Sequence, residues 1–336
     1  MQYVADSTRY DRMEYRRCGN SGLLLPAISL GLWHNFGDTG NLERMRAICR
    51  TAFDAGITHF DLANNYGPPA DSAEKNFGRI RKEDLAPYRD ELIISTKAGY
   101  DMWPGPYGNF GSRKYLLASL DQSLQRMGLD YVDIFYHHCP DPNTPLEETM
   151  GALAQAVQSG KALYVGLSNY DGATMQKAAA ILKALHCPFV INQNRYSMLD
   201  RTVERNGLLD ACQTEQKGLI LFSPLAQGLL TDRYLHGSIP ADSRIQTDGR
   251  FLQAAQLTPE LLAKLHALQD LAQQREQSLA QLALCWLLQK QTVTSVLVGA
   301  SRPEQLLDNL QACAAAPLTA AQQQKIDTIL GISAET

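Results

Sequence analysis

Three things are missing from this chain: a paired-cysteine pattern, a glycine fingerprint for nucleotides and any long apolar run. Its seven cysteines (Cys18, Cys49, Cys139, Cys187, Cys212, Cys285, Cys313) are odd in number, scattered and never spaced C-x-x-C. That argues against a disulfide framework or a zinc site, and for a reducing cytoplasm. No two of the 24 glycines are spaced G-x-G, so the Rossmann fingerprint is absent. No apolar stretch is long enough to span a bilayer, and the opening MQYVADSTRYDRMEYRR lacks the apolar segment of a signal peptide. A formal net charge of -4 gives no electrostatic reason to expect nucleic acid. No metal, membrane or nucleic-acid partner is expected.

What is present is a regular alternation. With 336 residues, 45% of them hydrophobic, a large core can be buried. Eight apolar runs of strand type occur in order: PAISLGLW, THFDLA, ELIISTK, DYVDIFYHH, ALYVGLSN, PFVINQN, GLILFSPL and TSVLVGA. Between them lie amphipathic segments. Leu42, Met45, Ile48, Ala52 and Phe53 share one helix face, as do Leu117, Leu120, Leu124 and Met127, and as do Leu146, Met150, Leu153 and Val157. Near-continuous apolar strands separated by helices indicate a parallel sheet covered by helices, and eight such units close most simply into a (β/α)8 barrel. Glu14–Arg17 and Leu23–Leu25, around a Gly-Asn-Ser-Gly turn, read as a hairpin capping the barrel bottom. A long polar loop, TDRYLHGSIPADSRIQTDGR, follows the seventh run before helical periodicity resumes near Pro259; loops of that length are usually functional.

Four polar residues stand at or just past the ends of three apolar runs: Asp61, Tyr66, Lys97 and His138. Barrels of this type build their active sites at that end of the strands. Tyrosine, with an ordinary pKa of about 10, is a poor acid, but a neighbouring ammonium stabilises the phenolate. Lys97 beside Tyr66 is therefore expected to lower that value and make Tyr66 a usable proton donor, with Asp61 holding Lys97 charged. The imidazole of His138 could orient a carbonyl oxygen or shuttle the proton. Such a site delivers a proton to an alkoxide, which suggests carbonyl reduction. His137 and His138 are neighbours on a strand and face opposite ways, so they cannot share a task, and the sequence alone leaves open which faces the mouth. A phosphate site is expected after strands seven and eight, where GASRPEQLLDN (299–309) enters a helix with Ser301 read as N-cap and Pro303 near N1. Arg233 and Arg244 on the long loop could reach a pyrophosphate.

ITHFDLANNYG, STKAG, H-x-P-D at 138–141, GLSN, INQ, FSPLAQGLL and GASRPEQLLDN together resemble the aldo-keto reductases, in order and spacing, from about residue 14 to 313. MWPGPYG followed by GSRKYLLASLDQSL resembles in particular the bacterial L-glyceraldehyde 3-phosphate reductase branch, which is similar to potassium-channel β subunits. The resemblance implies one barrel domain over 1–336 and NADPH as hydride source, with Tyr66 as proton donor and Asp61, Lys97 and His138 completing a tetrad. It selects His138 over His137, since the family histidine precedes x-P-D. It implies that Ser168, Asn169 and Gln193 bind the nicotinamide carboxamide, that Phe222 stacks on the ring and that Trp33 lies beside ring and substrate. Ser223, Leu225, Gln227, Arg233 and Arg244 match pyrophosphate contacts; Gly299, Ser301, Gln305, Asp308 and Asn309 match adenosine contacts. Two positions depart from the pattern. Gln305 stands where many relatives carry an arginine for the 2′-phosphate, and Cys139 where relatives often carry an aromatic residue or arginine. The expected activity is NADPH-dependent reduction of small aldehydes such as L-glyceraldehyde 3-phosphate or methylglyoxal. The alternatives are a slow-turnover nucleotide-binding regulatory subunit and a lyase using Lys97 as a Schiff-base amine. A homo-oligomer is left open.

Overall fold

The protein is described from a computed structural model covering residues 3–237, 239–241 and 243–332. Each of the eight apolar runs forms a strand, because a helix after each one returns the chain to the same end of the sheet. A two-stranded antiparallel hairpin, β1 (Tyr15–Arg17) and β2 (Leu24–Pro26), comes first. The barrel strands are β3 (Ile28–Gly31), β4 (His59–Asp61), β5 (Ile93–Ala98), β6 (Val132–His137), β7 (Ala162–Ser168), β8 (Phe189–Arg195), β9 (Gly218–Phe222) and β10 (Ser295–Val298). They close in the order β10-β3-β4-β5-β6-β7-β8-β9, giving the (β/α)8 barrel expected from the sequence.

The surrounding helices begin where the sequence offers a cap. Asn41, Ser112 and Asp171 accept N3 backbone N–H groups at the starts of α1 (Leu42–Asp54), α3 (Arg113–Met127) and α5 (Gly172–Ala184). Between these run α2 (Ser72–Ile80) and α4 (Leu146–Gln158), and two short helices, α6 (Thr202–Arg205) and α7 (Leu208–Thr214), connect β8 to β9. The long loop after β9 is not featureless: it holds α8 (Arg244–Thr247) and leads to α9 (Pro259–Gln274), which starts at the residue expected. Ser238 and Asp242 of that loop lie outside the described residues. The chain then forms α10 (Leu279–Leu288), β10, α11 (Pro303–Leu310) and α12 (Ala320–Leu330). No described helix is long and apolar enough to cross a membrane.

Side chains inside the barrel divide it into two unlike halves. On one side Ile134, Tyr136, Ile191, Ile220 and Leu297 pack with Cys18, Leu23 and Leu25 of the hairpin region, which seals the bottom. Gly166 makes room for this packing, since a Cβ there would lie 2.3 Å from the Tyr136 ring. On the other side Ser295, Ser29, His59 and Ser95, from β10, β3, β4 and β5, are all fully buried. Above that polar layer stand Asp61 and Lys97, two residues further along β4 and β5 and therefore on the same inward face.

Candidate active site

Lys97 is the centre of the site. Its Nζ donates to Asp61 Oδ2 (2.5 Å), to the Leu62 carbonyl (2.7 Å) and to the Tyr66 hydroxyl (3.2 Å). The other Asp61 oxygen accepts from Ser95 Oγ at 2.7 Å and from Gln193 Nε2 at 3.1 Å. Both members of the ion pair are buried. Burial pulls the Lys97 ammonium below its ordinary range, and Asp61 opposes that shift.

The expectation that Lys97 lowers the Tyr66 pKa is not met. Burial first, then the negative charge of Asp61, then Tyr100, hold the phenol well above its usual value of 10.0. The physical reason lies in the geometry: the lysine makes its two shorter contacts to Asp61 and Leu62, leaving the longest for Tyr66. Tyr66 is therefore protonated at neutral pH, the state a proton donor needs. His138 lines the same cavity, its ring centroid 6.0 Å from that of Tyr66 and 4.6 Å from that of Tyr100. Burial, with Lys97 and His137 nearby, pushes its pKa well below 6.5, so its imidazole is neutral. His137 points the other way, its Nδ1 2.7 Å from the buried Tyr170 hydroxyl.

From this mouth a cavity of about 1180 Å³ runs beneath the long loop to the start of α11. Trp33, Asn169, Gln193, Phe222, Ser223, Leu225, Gln227, Arg233, Arg244, Gly299, Ser301 and Gln305 all line it. Ser168 is buried just behind, 3.3 Å from the Asn169 amide. Asp308 and Asn309 line an adjoining cavity of about 460 Å³, which shares Ser301, Arg302 and Gln305 with the first. The sequence-selected residues thus fall in or just behind two adjoining cavities.

Ser301 is not the N-cap of α11. Arg302 takes that position with extended φ of -157° and Pro303 takes N1, because a proline disfavours helical backbone in the residue before it. Ser301 instead donates its backbone N–H and its hydroxyl to Gln305 Oε1, at 2.9 and 3.1 Å. That leaves the Gln305 amide nitrogen as the donor.

Sequence reasoning passed over several groove residues. Tyr100 packs on His138, and Phe251 from the long loop stands edge-on to Trp33 with centroids 5.0 Å apart. Arg244 stacks over the same indole at 5.1 Å, and His34 Nε2 meets Asp248 Oδ2 at 2.5 Å, so loop and barrel mouth are tied together. Nothing local in the sequence marks these pairs. Ser95 and His59 were legible: each sits two residues before a site residue on its strand, and alternate strand residues share a face. Among the described residues no cluster of His, Cys, Asp or Glu could hold a metal.

A barrel with a buried acid, amine and imidazole and a half-buried phenol gathered at its mouth matches the pattern of an aldo/keto reductase. The chain belongs to the aldo/keto reductase family, whose model matches residues 27–330, and is an oxidoreductase of that family. It is 62% identical over 317 residues to the L-glyceraldehyde 3-phosphate reductases of Escherichia coli K12 and O157:H7, covering 93% of this chain and 91% of theirs. More distant relatives include the probable voltage-gated potassium channel subunit beta of Oryza sativa subsp. japonica, 34% identical over 310 residues, covering 91% of this chain and 93% of that protein.

Proposed function

We propose that this protein reduces small aldehydes, L-glyceraldehyde 3-phosphate and methylglyoxal among them, with NADPH, and that Tyr66 gives the proton. The observation that carries the reading is Lys97 bridging Asp61 and the Tyr66 hydroxyl at the floor of a groove that runs on to the start of α11. At about 1180 Å³ the groove exceeds the usual range for a single small ligand, roughly 300–1,000 Å³. The adjoining cavity has hydrogen-bonding capacity in reserve: Asn309 Nδ2 is buried without a partner among the described residues. Arg244, whose pKa burial lowers to about 10, lines the middle of the groove, where a pyrophosphate would offset that cost.

In this reading Arg233, Arg244, Ser223 and Gln227 hold the pyrophosphate, and Ser301, Gln305 and Asn309 hold the adenosine end. Ser168, Asn169 and Gln193 fix the carboxamide, and Phe222 supports the ring. Bound there, the nicotinamide supplies the hydride. The neutral imidazole of His138 donates a hydrogen bond to the carbonyl oxygen and orients it. As negative charge grows on that oxygen, Tyr66 transfers its phenolic proton, and the adjacent Lys97 ammonium stabilises the phenolate left behind. Asp61 keeps Lys97 in place and charged. The free cysteines and the bacterial relatives support a cytoplasmic location.

The test is to follow NADPH oxidation by the purified protein on adding either aldehyde. Many turnovers per chain are expected. A single turnover would favour a regulatory subunit of the same fold, and aldehyde loss without NADPH oxidation would favour a Lys97 lyase.

A further inference from the structure

We propose that His59 is a positioning residue for this reaction, holding the Asp61 carboxylate through Ser95 so that its second oxygen is committed to Lys97. The inference rests on the carbonyl-reduction reading above.

The argument begins with what fills the barrel. Branched apolar side chains normally pack such interiors, and one half of this barrel follows that rule. The other half places Ser295, Ser29, His59 and Ser95 in a continuous hydrogen-bonded line, with none of them exposed. The spacings are 2.7 Å from Ser295 Oγ to Ser29 Oγ, 2.9 Å from Ser29 Oγ to His59 Nδ1 and 2.9 Å from His59 Nε2 to Ser95 Oγ. Ser95 Oγ then reaches Asp61 Oδ1 at 2.7 Å.

The inventory of protons gives this line a direction. A carboxylate paired with an ammonium can only accept, so the Ser95 hydroxyl spends its one proton on Asp61. Ser95 must then accept from His59, which requires the Nε2–H form of the ring. Nδ1 of that neutral ring accepts from Ser29, whose oxygen in turn accepts from Ser295. Every proton points toward Asp61. The opposite tautomer would take the Ser95 proton for itself and leave two oxygens facing each other with nothing between them. Burial keeps the ring neutral, lowering the His59 pKa to about 4, so the direction is stable at working pH.

Fixing Asp61 matters because Lys97 has no other acidic hydrogen-bond partner among the described residues. Without Ser95, Oδ1 would keep only the longer bond from Gln193 Nε2 at 3.1 Å, and a carboxylate held that loosely would let the ammonium drift from Tyr66. The effect falls on the chemical step, while the groove that binds nucleotide is untouched.

Three variants of the full-length protein test this: His59→Gln, which keeps a donor where Nε2 stood; His59→Phe, which fills the space without one; and Ser95→Ala, which cuts the line directly. Both His59→Phe and Ser95→Ala are expected to lower kcat by about 10–100-fold, the scale seen when outer hydrogen-bond partners of metal ligands are removed. The KM for aldehyde and the Kd for NADPH should move less than about threefold, and His59→Gln should recover most of the lost turnover. In the nucleotide-free protein, imidazole 15N shifts should give His59 as the Nε2–H tautomer. The proposal is overturned by an Nδ1–H tautomer, by unchanged kcat in Ser95→Ala, or by His59→Gln behaving like His59→Phe. If His59→Phe does not fold, Ser95→Ala and the tautomer decide. Because the tautomer is read without turnover, it separates this idea from the proposed activity.

Discussion

At the end of the groove we propose for reaction, Asp61, Lys97 and Ser95 are buried and bonded to one another, whereas at the end we propose for nucleotide Asn309 Nδ2 is buried without a partner among the described residues, and Ser301 bonds Gln305. The first arrangement stores its organisation in the barrel. The second holds donors that a ligand would satisfy. Electrostatic stabilisation of a transition state works best when the dipoles are fixed in advance, while affinity comes from bonds completed on binding. Changes at the reaction end should therefore act on turnover, and changes at the nucleotide end on affinity.

Lys97→Met should give the largest effect. It removes the cation between Asp61 and Tyr66 and strands a buried carboxylate, a loss that costs about 3–5 kcal/mol of stability in comparable pairs. Turnover should fall to background and the melting temperature should drop. Asp61→Asn should weaken turnover as well, and an Asp61→Asn, Tyr66→Phe double variant should lose far less than the product of its two single losses, because the residues act as a unit. Multiplicative losses would break the comparison, since they would mean that the reaction end is not one device.

His138→Ala comes next. With the carbonyl-orienting imidazole gone, kcat should fall by about 10²-fold, within the usual range for acid–base and orienting groups. His137→Ala should leave kcat within a few-fold and show mainly as lost stability, because that ring faces the Tyr170 hydroxyl instead of the groove. Equal effects on kcat from both variants would contradict the placement.

Much of this was legible in the chain, for identifiable reasons. The strands could be read because buried parallel strands need near-continuous apolar runs. The clustering of Asp61, Tyr66, Lys97 and His138 could be read because they stand at or just past the ends of those runs. The choice between His137 and His138 needed the family resemblance, since strand register cannot be counted from an uncertain end. The Ser301 assignment failed because Pro303 moved the cap by one residue. The direction of the Tyr66 shift failed because the sequence gives proximity to Lys97 but not how that ammonium is shared. α12 was missed altogether, although Thr319 and Gln322 form a capping box at its start and Asp327 pairs with Arg201 at 2.6 Å.

Smaller effects should appear at the nucleotide end. NADPH should be preferred over NADH in kcat/KM by about 1–3 kcal/mol, the worth of one or two charge-assisted hydrogen bonds from Arg302 or the Gln305 amide. Gln305→Arg should widen that preference with kcat nearly unchanged, as a guanidinium adds charge and a two-pronged contact. A wild type indifferent to the 2′-phosphate would show that Gln305 has relaxed the site.

The smallest expected change is with pH. Tyr66 is held well above 10.0 and His138 well below 6.5, so the phenol stays protonated and the imidazole neutral between those values. The kcat of the wild type should be flat around neutrality, falling on the alkaline side when Lys97, whose ammonium burial pulls below its ordinary range, or Tyr66 loses a proton, and on the acid side when His138 gains one.

The most direct test of the central claim is a single-turnover measurement on Tyr66→Phe with NADPH already bound and aldehyde added. Removing one hydroxyl from the reaction end should slow hydride consumption by about 10²–10⁴-fold, the contribution expected of a general acid, while the NADPH Kd stays within a few-fold of wild type. Near-normal consumption would take the proton-donor role from Tyr66. A matching loss of NADPH affinity would show that the two ends of the groove are not separable.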